Sequence, residues 1–246
     1  MIPKIIHYCW FGGNPLPELA QKCIASWRKY LPDYEIKQWD ESNFDVNIIP
    51  YTAEAYKQKK YAFVSDYARF WILYKYGGIY FDTDVEVIRP MDEIIAKGNF
   101  MGFEKDHKWG DAISVAPGLG LGVNPGLGLI QELLEYYQNL QFTFNPNGKD
   151  QVTIVGITTD ILLKHGLKYV PGIQNVADVT IYPSEYFCPI NITTKRLHIT
   201  KNTCTIHHYA ASWMDKSFSL KDMVRGFIPE WLLMKISYIK QILRRR

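Results

Sequence analysis

Apolar positions recur with a helical period from Tyr61 onward: Phe63, Tyr67, Phe70, Trp71 and Tyr74 fall along one side of a helix. Gly77-Gly78 supplies the left-handed backbone that stops it. Ile79-Tyr80-Phe81 is β-prone and wholly apolar, which predicts a buried strand running into Asp82-Thr83-Asp84. Nearer the N-terminus, Lys4 to Trp10 is an apolar run rich in isoleucine and aromatics, predicting a first strand. Phe11 to Pro15 is dense in turn residues. Leu19, Cys23, Ile24 and Trp27 give Pro17 to Tyr30 a helical stripe, Leu31-Pro32-Asp33 ends it, and Tyr34 to Trp39 reads as a second strand. A strand–helix–strand opening of this kind implies a mostly parallel sheet. Ligands of such sheets bind at the carboxyl ends of the strands, which puts the Trp10–Gly13 loop at a binding position.

Beyond this core the pattern predicts a weak helix near Thr52 to Lys60 and an extended Val85 to Ile88 closed by Pro90. A short helix over Met91 to Ala96, a strand over Asn99 to Glu104 and a solvated loop over Lys105 to Asp111 follow. Ser114 to Gly128 alternates glycines with leucines and valine. That suits a strand approached closely by another group and does not suit a dinucleotide fingerprint. Leu127 to Leu140 and Ile157 to His165 (beside Gly156) read as helices, Phe142 to Asp150 as a loop, and Val179 to Tyr182 as a strand among short turns. Thr205 to Trp213 reads as the final strand. The expected architecture is α/β: one domain, residues 1–228, with a Rossmann-like, mostly parallel central sheet flanked by helices. Residues 229–246 form a separate basic amphipathic helix. There Leu232, Ile236, Ile239 and Leu243 make a stripe edged by Lys235 and Lys240 and ended by Arg244, Arg245 and Arg246. The segment is too short and too charged to span a bilayer but suits an interfacial helix.

Composition narrows the class. Of 246 residues, 47% are hydrophobic and 22% charged, the balance of a folded globular protein, and a net charge of +3 is too small to argue for nucleic acid. The four cysteines, Cys9, Cys23, Cys188 and Cys204, form no C-x-x-C pair, so a zinc site is not expected. No signal peptide and no apolar run of bilayer length is evident. The expectation is a reduced, cytoplasmic protein, peripheral on the inner face of the plasma membrane.

The chemistry concentrates in two stretches. On an extended chain Asp82 and Asp84 face the same side, with Thr83 facing away. Asp66 and Arg69 share a helical face upstream, and the Gly-Gly link brings that face toward the strand end. Carboxylates gathered this way suit a hard cation, Mn2+ or Mg2+, shared with substrate phosphates. The second stretch holds His207 and His208. Adjacent strand residues point to opposite sides, so only one can join the cation, and His207 is the first choice with His208 second. His7, mid-strand, is expected to be a satisfied core histidine.

The string Ser65-Asp66-x-x-Arg69, Leu73, Tyr76-Gly77-Gly78-Ile79-Tyr80, Asp82-Thr83-Asp84 resembles the sugar-nucleotide-binding core of family 32 glycosyltransferases. These are DxD-containing, retaining GT-A enzymes that include bacterial capsule and polysaccharide transferases. More distantly the string is similar to the glucosyltransferase domains of large clostridial toxins. The opening Ile-Pro-Lys-Ile-Ile-His-Tyr-Cys-Trp and the closing His207, Ser212 and Trp213 fit the same pattern, whereas Gly156-Ile157 departs from the family's Gly-Pro.

The resemblance implies metal at Asp84, and metal or ribose at Asp82. It implies donor sugar and diphosphate at Asp66 and Arg69, base stacking at Trp10, and further donor contacts at Tyr80, Ser212 and Trp213. The implied reaction moves a hexose from a nucleotide-diphosphate sugar (UDP-galactose, UDP-glucose or a UDP-N-acetylhexosamine, with GDP-mannose the alternative) to a glycan or lipid-linked glycan acceptor in surface polysaccharide synthesis. Two other classes stand beside it. A metal-dependent phosphohydrolase would hydrolyse a UDP-sugar rapidly without acceptor. A non-catalytic sugar-nucleotide-binding module would turn over nothing.

Overall fold

A computed structural model of the chain describes residues 1–106, 113–145, 152–191 and 196–210. The central element is α3 (Tyr61–Tyr76), with β1 (Ile5–Cys9), α1 (Glu18–Tyr30), β2 (Glu35–Trp39) and α2 (Pro50–Lys57) before it and β3 (Gly78–Tyr80) after it. Then come β4 (Val85–Val87), α4 (Asp92–Ile95), β5 (Phe100–Lys105), β6 (Ser114–Val115), a 3-10 turn at Pro117–Leu119 and β7 (Leu121–Val123). The described chain finishes with α5 (Gly128–Gln138), α6 (Ile154–Lys164), β8 (Gln174–Val176), β9 (Val179–Tyr182), α7 (Ser184–Phe187) and β10 (Thr205–His207). The sheet order is β2-β1-β3-β7-β5-β9-β8, with β6 on β5. β2, β1, β3, β5 and β9 run one way, while β7 and β8 run against them. The sheet is therefore mixed but mostly parallel in direction, with helices on both faces.

Period-2 alternation builds both cores. On β3, Ile79 joins the layer with α1, α4 and α7, Tyr80 joins the layer with α2, α3, α5 and α6, and Phe81 returns to the first. On β1, Ile6 and Tyr8 face the α1 side and Cys9 the α3 side. Gly77 and Gly78 hold φ of 62° and 101°, and a Cβ at Gly78 would lie 2.6 Å from the Ile5 carbonyl oxygen. The pair therefore serves both the reversal and the close approach of β3 to β1. All four cysteines are free.

His7 is a core residue, as its mid-strand position suggests. It is 1% exposed, with Nε2 2.9 Å from the Gly77 carbonyl and Nδ1 accepting from Trp39 Nε1 at 3.1 Å. Burial lowers its pKa to about 4 against 6.5, only partly offset by the Gly77 bond. Between those values the unfolded chain carries the extra proton, so stability falls as the pH drops from 6.5 to 4, by about 3 kcal/mol in all. In His7→Gln, whose amide can accept from Trp39 and donate toward Gly77, this part of the slope should vanish. Denaturant melts at pH 4.5 and 7 measure it, and an unchanged slope removes His7 as its source.

Several boundaries differ from the sequence reading. The glycine-rich stretch is two short strands around a 3-10 turn, not one strand. α6 starts at Ile154 because Thr153 Oγ1 accepts from the Gly156 N–H, which puts Gly156 inside the helix. The strand after Gly77 ends at Tyr80, one residue before Phe81. Most of the Lys105–Asp111 loop and the 229–246 segment lie outside the described residues.

Candidate active site

α3 places Asp66 and Arg69 one turn apart, both on its buried side. Arg69, 4% exposed, spends its guanidinium on three acceptors: Nε to the Ser65 carbonyl at 3.2 Å, one terminal nitrogen to Asp66 at 2.9 Å, the other to Asp82 at 3.2 Å. Its guanidinium carbon lies 4.6 Å above the Tyr80 ring. Burial pushes the Asp66 carboxyl up, while Arg69 pulls it back toward the ionised form. The result is a buried cation locked between two carboxylates, a geometry that costs several kcal/mol if one partner is removed.

The two aspartates of the D-x-D sequence do not lie on an extended strand. The chain turns there: Val85 N–H donates to the Asp82 carbonyl at 3.0 Å, and Asp82 N–H donates to the Gly118 carbonyl at 3.0 Å. The carboxylates still converge, by the turn rather than by strand alternation. Gly118 is the residue that makes room. A Cβ there would sit 1.8 Å from Asp82 Oδ2 and 3.0 Å from an Arg69 nitrogen.

Antiparallel pairing of β10 with β4 sets His207 opposite Val85 and so beside Asp84. His207 Nε2 is 3.1 Å from Asp84 Oδ1, Asp84 Oδ2 accepts from the Ala210 N–H at 2.8 Å, and the Asp84 carbonyl accepts from the His208 N–H at 3.0 Å. One ligand atom each from Asp82, Asp84 and His207 lies within 4.8 Å of the others. Burial by itself would raise the Asp84 carboxyl, but the His207 hydrogen bond and charge and the Ala210 N–H outweigh it, leaving Asp84 below the usual carboxylate range. Burial works to lower His207, but Asp84 outweighs it and raises the imidazole. His207 Nδ1 is buried without a hydrogen-bond partner among the described residues. Two half-buried carboxylates and an imidazole with an orphaned nitrogen are a donor set that fits a divalent cation such as Mn2+ or Mg2+.

His208 does not belong to this cluster. Its Nε2 is 2.8 Å from Glu86, which Lys22 also approaches at 3.5 Å, because the next strand residue faces the other way. Tyr80 is likewise not a direct donor contact. At 1% exposure it is a floor beneath Arg69 and reaches no open space. Trp10 sits half-buried just past the carboxyl end of β1, its indole N–H donating to the Asn14 carbonyl at 2.6 Å, which ties the ring to the loop it begins. The Gly12 N–H in the same loop donates to Glu41 at 2.6 Å. Ser212 and Trp213 lie outside the described residues. Sequence reasoning missed Gly118, whose only signal was glycine density, and Tyr209. The latter holds φ of 51°, sets its ring tilted against His207 with the centroids 4.2 Å apart, and reaches Glu104 and Cys188 with its hydroxyl.

A mostly parallel α/β sheet with a D-x-D turn, a buried arginine and a histidine at its carboxyl edge is the arrangement of a GT-A-type fold. Residues 17–101 match the family model described as the glycosyltransferase sugar-binding region containing the DXD motif. The chain is 37% identical over 123 residues to inositol phosphoceramide mannosyltransferase 3 of Schizosaccharomyces pombe, covering 43% of this chain and 34% of that protein. It is 28% identical over 123 residues to the initiation-specific alpha-1,6-mannosyltransferase of Candida albicans, covering 46% and 32%. The matches thus span about a third of each of these two relatives. Among solved structures, PaToxG glycosyltransferase shares the fold, with a TM-score of 0.50 at 20% identity over 66% of this chain and 69% of that one.

Proposed function

We propose that the protein is a metal-dependent glycosyltransferase that moves a hexose from a nucleotide-diphosphate sugar to a hydroxyl of a glycan or lipid-linked acceptor. The observation that carries this is the convergence of Asp82, Asp84 and His207 beside the Arg69–Asp66 pair. In the reaction the bond between the sugar's anomeric carbon and the diphosphate oxygen breaks, a bond from the acceptor oxygen to that carbon forms, and the acceptor proton leaves with the nucleoside diphosphate or to solvent. A divalent cation held by Asp82, Asp84 and His207 would supply fixed positive charge where the leaving diphosphate gains negative charge. Arg69 adds its own charge to that wall, and Asp66 and Asp82 hold it at one position. In this reading Asp66, one helical turn from Arg69, would orient sugar hydroxyls. The configuration is retained, as in the resembled family, and the anomeric carbon passes through an oxocarbenium-like state.

For the donor, the two curated relatives named above transfer mannose by name. That favours GDP-mannose over the UDP-hexoses that stand first on the sequence reading. An inositol phosphoceramide acceptor in one of them favours a lipid-linked acceptor, and with it a peripheral position at the cytoplasmic membrane face, where the basic 229–246 segment would add contact. A thermal-shift panel of GDP-mannose, UDP-glucose, UDP-galactose and UDP-N-acetylhexosamines, with and without Mn2+, tests the reading: one donor should raise the midpoint strongly, and only with metal. No shift with any donor would end the proposal. Fast acceptor-free hydrolysis would favour the phosphohydrolase.

Trp10 takes the base in this reading. Trp10→Ala should weaken binding of the free nucleoside diphosphate by about tenfold, the lower end of a ~1–3 kcal/mol stacking contribution, while kcat changes little. Calorimetry measures it, and unchanged nucleotide affinity would discard the stacking role.

A further inference from the structure

Outside the site, the described residues expose eight large apolar side chains, five of them in two short segments. Tyr169, Val170 and Ile173 are 58%, 45% and 49% exposed in the loop between α6 and β8, and Leu197 and Ile199 are 48% and 51% exposed after α7. The first loop is held in shape by one side chain. Gln174 Oε1 accepts from the Lys168 N–H at 2.9 Å and its Nε2 donates to the Lys168 carbonyl at 2.9 Å, closing the loop at its base. The apolar tips are thus presented outward by a fixed backbone.

The topology sets where these residues lie. β3, β5 and β9 run in the same direction, and β8 runs against β9 with Gln174 opposite Ile181. The start of β8 and the end of β9 are therefore on the carboxyl edge of the sheet, the edge from which Asp82 emerges. Four strand steps separate β3 from β8, roughly 19 Å. The Leu197–Ile199 segment follows β9 and α7 in the chain. Charge follows the same division. From Ile161 to Ala177 and from Tyr186 to Met214 the sequence has no Asp or Glu, but it includes Lys168, Arg196 and Lys201.

We propose that the Gln174-clamped loop, together with the Leu197–Ile199 segment, docks this edge of the protein onto an anionic lipid bilayer. A loop tip with three side chains offers far less than the ~800 Å² per partner that a specific protein contact takes. A bilayer needs only shallow insertion of a few apolar tips beside basic residues. The purpose of the contact rests on the lipid-linked acceptor proposed above, since it would hold the site at the height of that acceptor. The contact itself does not depend on it.

The test is co-sedimentation of the full-length chain with phosphatidylcholine vesicles, with and without phosphatidylserine. It compares wild type with Tyr169→Ser/Val170→Ser/Ile173→Ser and with Leu197→Ser/Ile199→Ser. Donor-induced thermal shift is measured alongside. Wild type should bind the anionic vesicles, and the triple variant should bind at least about tenfold more weakly with its donor shift unchanged. The double variant should fall in the same direction. No vesicle binding by wild type, or equal binding by the triple variant, overturns the inference. So does a concentration-dependent dimer that the triple variant abolishes without any vesicle binding. Vesicle binding by wild type that the triple variant loses, with no donor shift in either protein, would sink the transferase reading and leave the docking edge standing.

Discussion

Asp84→Asn should abolish transfer, lowering kcat at saturating Mn2+ by at least about 10²-fold, while the thermal midpoint without metal moves little. The amide keeps the shape of the carboxylate and can still accept from the Ala210 N–H, now 2.8 Å from Oδ2. What it removes is the negative charge that the His207 ring faces at 3.1 Å and that a cation would meet. Asp84 is the member of the cluster held below the usual carboxylate range, so in the native protein that charge is present throughout the neutral region. Steady-state turnover beside a circular-dichroism melt separates loss of function from loss of fold. Near wild-type turnover would remove the metal assignment.

The second large effect comes from a residue with no side chain. Gly118→Ala puts a methyl 1.8 Å from Asp82 Oδ2 and 2.7 Å from its carboxyl carbon, far inside contact distance. The obstructed group is the end of a side chain, so the fold can survive by rotating Asp82 away. That rotation breaks the Arg69–Asp82 pair and withdraws one donor from the cation cluster. Activity should fall by about 10²-fold and the Mn2+-dependent donor shift should disappear, with folding retained. Gly128→Ala is the matched control, since a Cβ there meets nothing within 4 Å. If both variants keep full activity, Asp82 does not need its observed position.

Much of the fold around the site is readable from local pattern. The helix–glycine–strand unit at 61–80, the strands at 5–9 and 35–39 and the helix at 18–30 end within a residue or two of where periodicity puts them, because helical and strand repeats are set by neighbours in the chain. Motif spacing also brings out the residues of the site: Asp66, Arg69, Asp82 and Asp84 were legible as a group. Their joint position was less so. The paired aspartates converge through a turn stitched to Gly118 rather than by strand alternation, and Tyr80 becomes the floor under Arg69 rather than a ligand contact.

By itself, the sequence determined which residue types the site has to work with, and the two local units, α3 with β3 and β1 with its loop, that deliver them to one sheet edge. Only the tertiary structure decided which histidine joins the aspartates, which glycine clears space for one of them, and that one arginine is locked between two carboxylates. His207 meets Asp84 because β10 pairs with β4, Gly118 meets Asp82 because β7 returns beside β3, and His208 is turned to Glu86 by the same pairing. Local propensity carries no information about which distant segment will pair, since that is settled by burying both faces of the sheet at once. The side chains at the crossing points are placed by packing and not by their own neighbours.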